Sequence, residues 1–538
     1  MRLSPLSVPY RVVRRGASVL VTVAFVVASG SSVLGGAVGT LVGVALVGAA
    51  VVLLVGYEVA YWRRYEYELT EDTLDIGSGV FARRNREIPL RRIQNVDIRR
   101  NVVQRLLGIA AVDLETAGGG STEAAIRYVS FAEARRLQRD IARLKRGAAA
   151  SETGDRAGTA EDAPAEELFR LTPRELALAG ALSFDVRGPG ALLFVLSAGG
   201  VAVPSVVERV GSRGALGLAA VVVGLLLLVV LVSWVGGAAV TVLNYYDFRL
   251  ARVGDELQYG RGLLRRYDGS IPLDKVQTLT VTDNPLKRRF GYATLYIETA
   301  GYAPGGGRGD DRGSQTAVPL AEVDRVFALA DEVEPFGDPD LRRPPRRVRR
   351  RYAVRYLLAL GGLAAAVYAV ETVVDAGLAW YAPLVLVPLV LPAAHLKWCH
   401  RGHWLGPDHL VTRNGVLRRE TRIVPYYRVQ TVIDTRTVFQ RRWRLGTVTA
   451  DTAGSLSLTG GDAAAVDVAE TRADELREAL AARLESALAE RGRRRGWGWN
   501  GSGSAGPEGA AATDDADPNR AADRPDESGT GGTTNDAG

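Results

Sequence analysis

The chain has 538 residues, 47% of them hydrophobic, with one Cys and a formal net charge of +7. This length exceeds one domain, and a lone cysteine excludes an internal disulfide framework. Residues 500–538 hold eight acids and two arginines, a net of −6, which leaves +13 on the rest; beside apolar segments, that balance points to anionic lipid headgroups before nucleic acid.

The apolar residues gather in three blocks near 17–62, 189–243 and 352–398. Each block is long enough for two spans of about 20 residues. The reading places six spans at about 17–34, 38–60, 187–207, 215–241, 353–373 and 378–398, joined in pairs by short links into three hairpins. The first stretch runs into the second without an Ala-x-Ala-like cleavage site and reads as a retained span. Arg14 and Arg15 precede the first hairpin, Arg63 and Arg64 follow it, and Lys397 and Arg401 follow the third. The positive-inside rule therefore puts both termini and the soluble regions in the cytoplasm of a multi-pass cell-membrane protein. The second span begins Gly35-x-x-x-Gly39-x-x-x-Gly43, a spacing that suits either a homodimer face or packing within the chain. Glu58 lies near a span end, where solvation would satisfy it.

After each hairpin the same pattern appears. The first copy has Gly79, Pro89, Gln94 and Gly108; the second has Gly262, Pro272, Gln277 and Gly291; the third has Gly415, Pro425, Gln430 and Gly446. Gly to Pro is 10 residues and Pro to Gln is 5 in all three copies, while the third carries two extra residues before Gly446. Around these positions alternating runs such as Tyr65–Leu69, Gln94–Ile98 and Gln277–Val281 read as half-buried strands. Amphipathic helices close the copies at Phe131–Lys145, Leu320–Val333 and Ala469–Arg491; in the first, Ala132, Leu137, Ile141 and Leu144 form the apolar face. The order is several antiparallel strands and one C-terminal helix, a small barrel or sandwich covered at one end.

This organises the chain as a cytoplasmic segment 1–16, hairpin 17–62, module 63–146, linker 147–167, juxtamembrane segment 168–186, hairpin 187–243, module 244–335, basic linker 336–351, hairpin 352–398, module 399–491 and a disordered acidic tail 492–538. The linker and tail are rich in small and polar residues and lack core formers.

The membrane hairpin, then Gly-x-Leu-x-Arg/Lys, Ile-Pro-Leu-x-Arg/Lys-Ile/Val-Gln-x-Val, then Arg-x-x-Gly and a strand ending in Ala-Gly, resembles the bacterial pleckstrin-homology-like family of the DUF304, YdbS/YdbT type, in its triple-repeat form. The resemblance covers about 60–475. It implies three PH-like β-barrel or sandwich modules on the cytoplasmic face of a polytopic α-helical membrane protein. Fold alone does not give function.

Seven arginines, Arg342, Arg343, Arg346, Arg347, Arg349, Arg350 and Arg351, precede the third hairpin. They suit either anionic-lipid contact, at about 1 kcal/mol per basic residue near a charged surface, or a topology signal. Arg91, Arg92, Lys275, Lys287, Arg288, Arg289, Arg428, Arg441 and Arg442 suit phosphate pockets or a solvated face. His395, Cys399 and His403 share a helix face only if the helix continues past Gly402, and no metal site is assigned to them. No P-loop, Gly-x-Ser-x-Gly, His-Glu-x-x-His or Rossmann fingerprint occurs, so the expectation is a non-enzyme without catalytic residues, cofactor or metal. The leading reading is a membrane protein presenting PH-like modules for protein assembly or lipid-headgroup interaction, with a membrane-protein partner or a second copy of itself. The alternative is a component of a transport, export or resistance system that uses the six spans.

Overall fold

A computed structural model describes residues 1–16, 21, 36–116, 124–153, 165–183, 215–299, 314–374, 379–452 and 462–494. The first copy of the repeat folds as β1 (Glu66–Leu69), β2 (Thr73–Ser78), β3 (Arg84–Pro89), β4 (Ile93–Asn101), β5 (Ile109–Thr116), β6 (Ala124–Ser130) and a helix Phe131–Thr153. The second has β7 (Glu166–Arg170), β8 (Arg249–Val253), β9 (Glu256–Arg261), β10 (Arg265–Pro272), β11 (Val276–Asp283), β12 (Tyr292–Thr299), β13 (Ser314–Glu322) and a helix Val323–Val333. The third has β14 (Gly402–Leu405), β15 (His409–Asn414), β16 (Arg419–Pro425), β17 (Val429–Thr435), β18 (Leu445–Thr452), β19 (Ala463–Ala469) and a helix Glu470–Arg494.

The repeated proline explains the corner in each copy. Proline has no amide to donate, so the ladder ends there. One turn of 3-10 helix follows at Leu90–Arg92, Leu273–Lys275 and Tyr426–Arg428, and the chain leaves one sheet for another. The closing helix then covers the core: Ala134, Leu137 and Ile141 are buried and Leu144 packs against them. Ala132, expected on that face, is exposed, and Ala134 takes its place.

The sheets do not stop at the expected module boundaries. Their strand orders are β1-β2-β3, then β6-β5-β4-β10-β9-β8-β7, then β13-β12-β11-β16-β15-β14, then β17-β18-β19. The second half of one copy is hydrogen-bonded edge to edge with the first half of the next, through β4 to β10 and β11 to β16. The central core likewise crosses a boundary, since Val411 and Ile423 of the third copy join Leu279, Val281 and Ile297 of the second. The modules are thus joined through their sheets into one row, while each copy keeps a core of its own: Leu74 and Ile76 of the first half pack with Ile98 and Ile126 of the second.

Each copy also gains an extended piece from before its hairpin. Arg2 bridges Glu66, β7 pairs with β8, and Arg342 bridges His403. The segment 168–186, expected only as juxtamembrane chain, therefore supplies part of β7 and a helix Pro173–Leu182. That helix starts with a capping box between Thr172 and Glu175 and with proline at its first turn, a combination that satisfies the free amides of a helix start.

Four described helices are long and apolar enough to cross a membrane: Ala45–Arg64, Val223–Tyr245, Arg347–Val373 and Ala382–Cys399. The last begins as 3-10 helix over Ala382–Leu389, with Pro383 and Pro388 inside, and becomes α-helical from Val390. The expected spans near 17–34 and 187–207 lie outside the described residues, apart from Val21.

Candidate functional site

Two small structures recur in each of the three copies. The first is the turn at Gly79, Gly262 and Gly415. All three have φ near +100°, and a Cβ there would sit about 2 Å from the carbonyl oxygen three residues on. Only glycine closes the turn without a clash. The second is a five-residue helix at Val102–Leu106, Pro285–Arg289 and Val438–Arg442, capped by Asn101, Asn284 and Thr437 respectively.

Both structures hold large apolar side chains in the open. Phe81 is 93% exposed, Leu106 82% and Phe439 70%. Leu264, Leu286, Phe290, Leu417, Val103 and Val438 are exposed as well. Arginines stand between them, with Arg83, Arg105, Arg265, Arg289, Arg418, Arg441 and Arg442 all exposed.

Contacts place these tips at the span ends. The Phe81 ring lies 6.2 Å from that of Tyr57 in the first described span, and Arg64 donates to the Val80 carbonyl at 2.7 Å. The Leu263 amide donates to the Leu243 carbonyl at 2.8 Å, near the end of the helix Ala215–Tyr245. Arg288 Nη1 lies 2.9 Å from Nε2 of His400, which caps the helix ending at Cys399.

At each junction one arginine locks two tips together. Arg105 donates to the Leu263 carbonyl at 2.6 Å, and Arg288 donates to the Val416 carbonyl at 3.1 Å. These are corresponding residues of successive copies. Acids complete the locks: Arg100 pairs with Asp268 at 3.3 Å, and Asp283 pairs with Arg288 at 2.7 Å and Arg419 at 2.6 Å. Arg288, read from sequence as a phosphate ligand or a solvated charge, is thus a structural clamp. Lys287 donates to Thr294 Oγ1 at 2.7 Å, and Arg428 donates to the Asp274 carbonyl, so each is likewise tied to the fold.

A polar node anchors the third copy to its hairpin. Asp467, only 2% exposed on its side chain, accepts hydrogen bonds from Tyr352, Arg351, Arg401 and Gln440. A cavity of about 310 Å³ opens here, lined also by Arg355, Thr435 and Thr447. In the first copy Tyr128 holds the matching place, the third residue before the closing helix. It accepts from Arg14 at 3.3 Å and packs on Tyr10. In the second copy Leu320 takes that place and packs with Ala179 and Leu182. Of the seven arginines before the third hairpin, only Arg351 enters the cavity. Arg347 donates to the Arg444 carbonyl at 2.7 Å, Arg343 and Arg349 stand over the Trp398 ring, and Arg342, Arg343, Arg346, Arg347 and Arg350 are exposed.

Glu58 is not solvated, as the sequence suggested. It is fully buried between Arg15, whose Nη1 is 2.5 Å away, and Arg11, whose Nε at 3.1 Å makes an ion pair without the angle of a hydrogen bond. Pairing is what makes a buried charge tolerable.

The histidines separate. The helix ends at Cys399, and His403 lies in β14, so the three-residue face does not form. No group of three or more metal-binding side chains occurs among the described residues. Burial, reinforced by Arg472 and Arg342, pushes His403 down to about 4. Burial against the junction raises Asp97 to about 6; Arg99 opposes the shift and Asp113 adds to it.

The repeat signature also needs one correction. Gly108 and Gly291 have φ of +64° and +76°, and the residue at their place in the third copy is Arg444, at φ +52°. The carbonyls of Gly108, Gly291 and Arg444 each accept the first amide of the closing helix, from Phe131, Val323 and Glu470. No two-residue insertion precedes this turn, and Gly446 lies inside β18. Tyr426 and Tyr427, which set the third copy apart, are structural: Tyr426 donates to the Gly406 carbonyl at 2.8 Å, and Tyr427 together with His409 holds Glu334 at 3.1 Å.

Sequence reasoning missed the apolar tips, because each has only one or two residues, and the clamp arginines, because their partners lie in the next copy. It also missed the pre-hairpin strands, although Arg2-Leu3-Ser4-Pro5 and Arg170-Leu171-Thr172-Pro173 repeat the same signal.

Comparison with known proteins agrees with this architecture. The family model for the bacterial PH domain matches three times, at residues 19–145, 196–335 and 357–484. The chain is 24% identical over 434 residues to the UPF0699 transmembrane protein YdbT of Bacillus subtilis (strain 168), covering 77% of this chain and 84% of that protein. No solved structure matches. The chain belongs to the bacterial PH domain family and is a membrane protein.

Proposed function

We propose that this member of the bacterial PH domain family is a non-catalytic membrane scaffold, whose PH-like modules lie in one row against the cytoplasmic face of the cell membrane. The observation that carries this reading is the repeated tip: exposed Phe and Leu side chains, interleaved with arginine, in each of the three copies. Apolar side chains flanked by cations are the composition that settles into a headgroup layer. Burying one Phe or Leu from water is worth about 1.5–3 kcal/mol, and each arginine near an anionic surface adds about 1 kcal/mol. Because the spans already tether the modules, such modest terms are enough to hold them down. The cytoplasmic side is supported by the arginines that flank the helices. The cavity lined by Arg351, Arg355 and Arg401 suits an anionic headgroup, since its only acid among these residues is Asp467.

The test reconstitutes the full chain with Cys399→Ser in nanodiscs and places an environment-sensitive dye at Phe81→Cys, Leu106→Cys or Phe439→Cys. The expected result is emission and quencher accessibility of a headgroup-buried dye, enhanced by anionic lipid, while a dye at Glu478→Cys stays in water. Equal accessibility at the tips and at Glu478→Cys overturns the reading.

A further inference from the structure

The two junctions are the same interaction made twice. In the first, Arg266 of β10 stands opposite Arg100 of β4. In the second, Arg419 of β16 stands opposite Asp283 of β11. Counted from the signature proline, 272 and 425, Arg266 and Arg419 lie at the same place, and from the signature glutamine, 94 and 277, so do Arg100 and Asp283. Register and clamp arginine therefore repeat together. The same repetition leaves two strands over. β3 is the first copy's counterpart of β10 and β16, and β17 is the third copy's counterpart of β4 and β11. Each of the two is an edge of its sheet.

These edges look like an interface with its partner absent. β11 is buried at all eight positions, whereas β17 is exposed or half-exposed at every position after Val429. In β3, Arg84 to Glu87 are all exposed. The clamp arginine of the third copy is Arg441, exposed as Arg105 is, and its target by repetition is the Val80 carbonyl, which Arg64 reaches from within the chain. Phe81 stands on the turn and Val438 and Phe439 on the five-residue helix, the two structures that Arg105 and Arg288 tie together at the other junctions.

We infer that β17 of one chain pairs with β3 of a second copy, in the register of the two internal junctions. That register sets Glu87 opposite Val432, Arg86 opposite Ile433, Asn85 opposite Asp434, Arg84 opposite Thr435 and Arg83 opposite Arg436. The charges match the first junction: there the pair Arg100 and Arg266 is bridged by Asp268, which stands opposite Ile98. Here the pair Arg83 and Arg436 is bridged by Asp434, on the same rung but from the opposite strand; within one chain Arg436 already pairs with Asp434 at 2.9 Å, and with Glu470 and Asp474 besides. Both internal junctions bring tips to span ends, so a third application of the same relation keeps the second chain's spans in the same membrane. Head-to-tail pairing of this kind closes into a ring or extends as a row. The inference deepens the scaffold reading but rests on the junctions and not on lipid contact.

The experiment uses the full chain with Cys399→Ser in nanodiscs or native membranes. Glu87→Cys combined with Val432→Cys is oxidised and run without reductant. A ladder of multiples of the chain mass is expected, at least tenfold stronger than for Glu87→Cys with Ile433→Cys, which is one residue out of register. In the cross-linking pair, Asp434→Asn should weaken the ladder, and adding Asn85→Asp, which restores the acid at the place of Asp268, should bring it back. No ladder, an equal ladder in both registers, loss of thiols with no change of mass, or capture of a different protein on these cysteines overturns self-pairing. Tip dyes that remain headgroup-buried in such an outcome leave the membrane reading intact.

Discussion

Replacing Asp283 with alanine should loosen the joint between the second and third modules selectively. Its carboxylate is 6% exposed and accepts four hydrogen bonds: from Arg288 Nε and Nη2 at 2.9 and 2.7 Å, and from Arg419 Nε and Nη2 at 2.9 and 2.6 Å. Each guanidinium closes with Nε and Nη2 on one oxygen of the carboxylate, Arg288 on Oδ1 and Arg419 on Oδ2, in charge-assisted bonds stronger than neutral ones. Asp283→Ala leaves two cations facing each other across the junction, each about a fifth exposed. Removing one partner of a buried pair costs about 3–5 kcal/mol; because both arginines reach some water, the lower end, about 3 kcal/mol, applies. Unfolding of a chain this large is not two-state, so the assay is native-state hydrogen exchange of β11 and β16 in nanodiscs. Their amides should exchange roughly a hundredfold faster, since each 1.36 kcal/mol is tenfold, while β4 and β10 stay as in the wild type. Exchange within threefold of wild type at β11 and β16 would refute the claim that this carboxylate clamps the joint.

Other outcomes follow from the same physics. Gly415→Ala forces a Cβ to 1.9 Å from the Arg418 carbonyl oxygen in a backbone that alanine avoids, and should cost about 1–3 kcal/mol, read as earlier thermal unfolding of the third module. Arg444→Gly should be neutral or stabilise by up to about 1 kcal/mol, because glycine occupies this left-handed position in the other two copies and escapes the Cβ cost; clear destabilisation would refute the placement of Arg444 at the repeat turn. Two pH effects should oppose each other. Asp97, raised from 3.8 to about 6, stabilises the first junction below pH 4 and loses that contribution as pH rises through 6; Asp97→Asn should flatten the slope in exchange measured at β4 and β10. His403, lowered from 6.5 to about 4, stabilises β14 above pH 6.5 and loses that contribution as pH falls through 4, so β14 amides should open on acidification while β4 amides tighten.

The repeat was legible because its residues act locally. A glycine at φ near +100° closes a turn whatever surrounds it, a proline ends a ladder by lacking an amide, and a run such as Gln277 to Val281 alternates because a strand has two faces. Four of the six expected spans fall on described helices long and apolar enough to cross a membrane, for the same kind of reason: about 20 apolar residues cross a bilayer wherever they stand. Those local rules delivered three copies, several of their strands, their closing helices and the membrane class; they passed over the last strand of each copy, β6, β13 and β19, and began the second closing helix at Leu320, inside β13. They also erred locally, taking Gly446 for a turn that Arg444 makes and Ala132 for a core position that Ala134 fills.

What the tertiary structure alone decided is which strand edges meet. β4 carries no mark that says its neighbour is β10, some 165 residues away, because backbone hydrogen bonds are the same for any partner. The choice is made by side chains that touch only after folding: Arg100 with Asp268, Arg288 and Arg419 with Asp283, Arg105 with the Leu263 carbonyl. The sequence thus determined that there are three modules in a membrane, through short-range geometry. The fold decided that they form one row, through long-range pairing that no local pattern encodes.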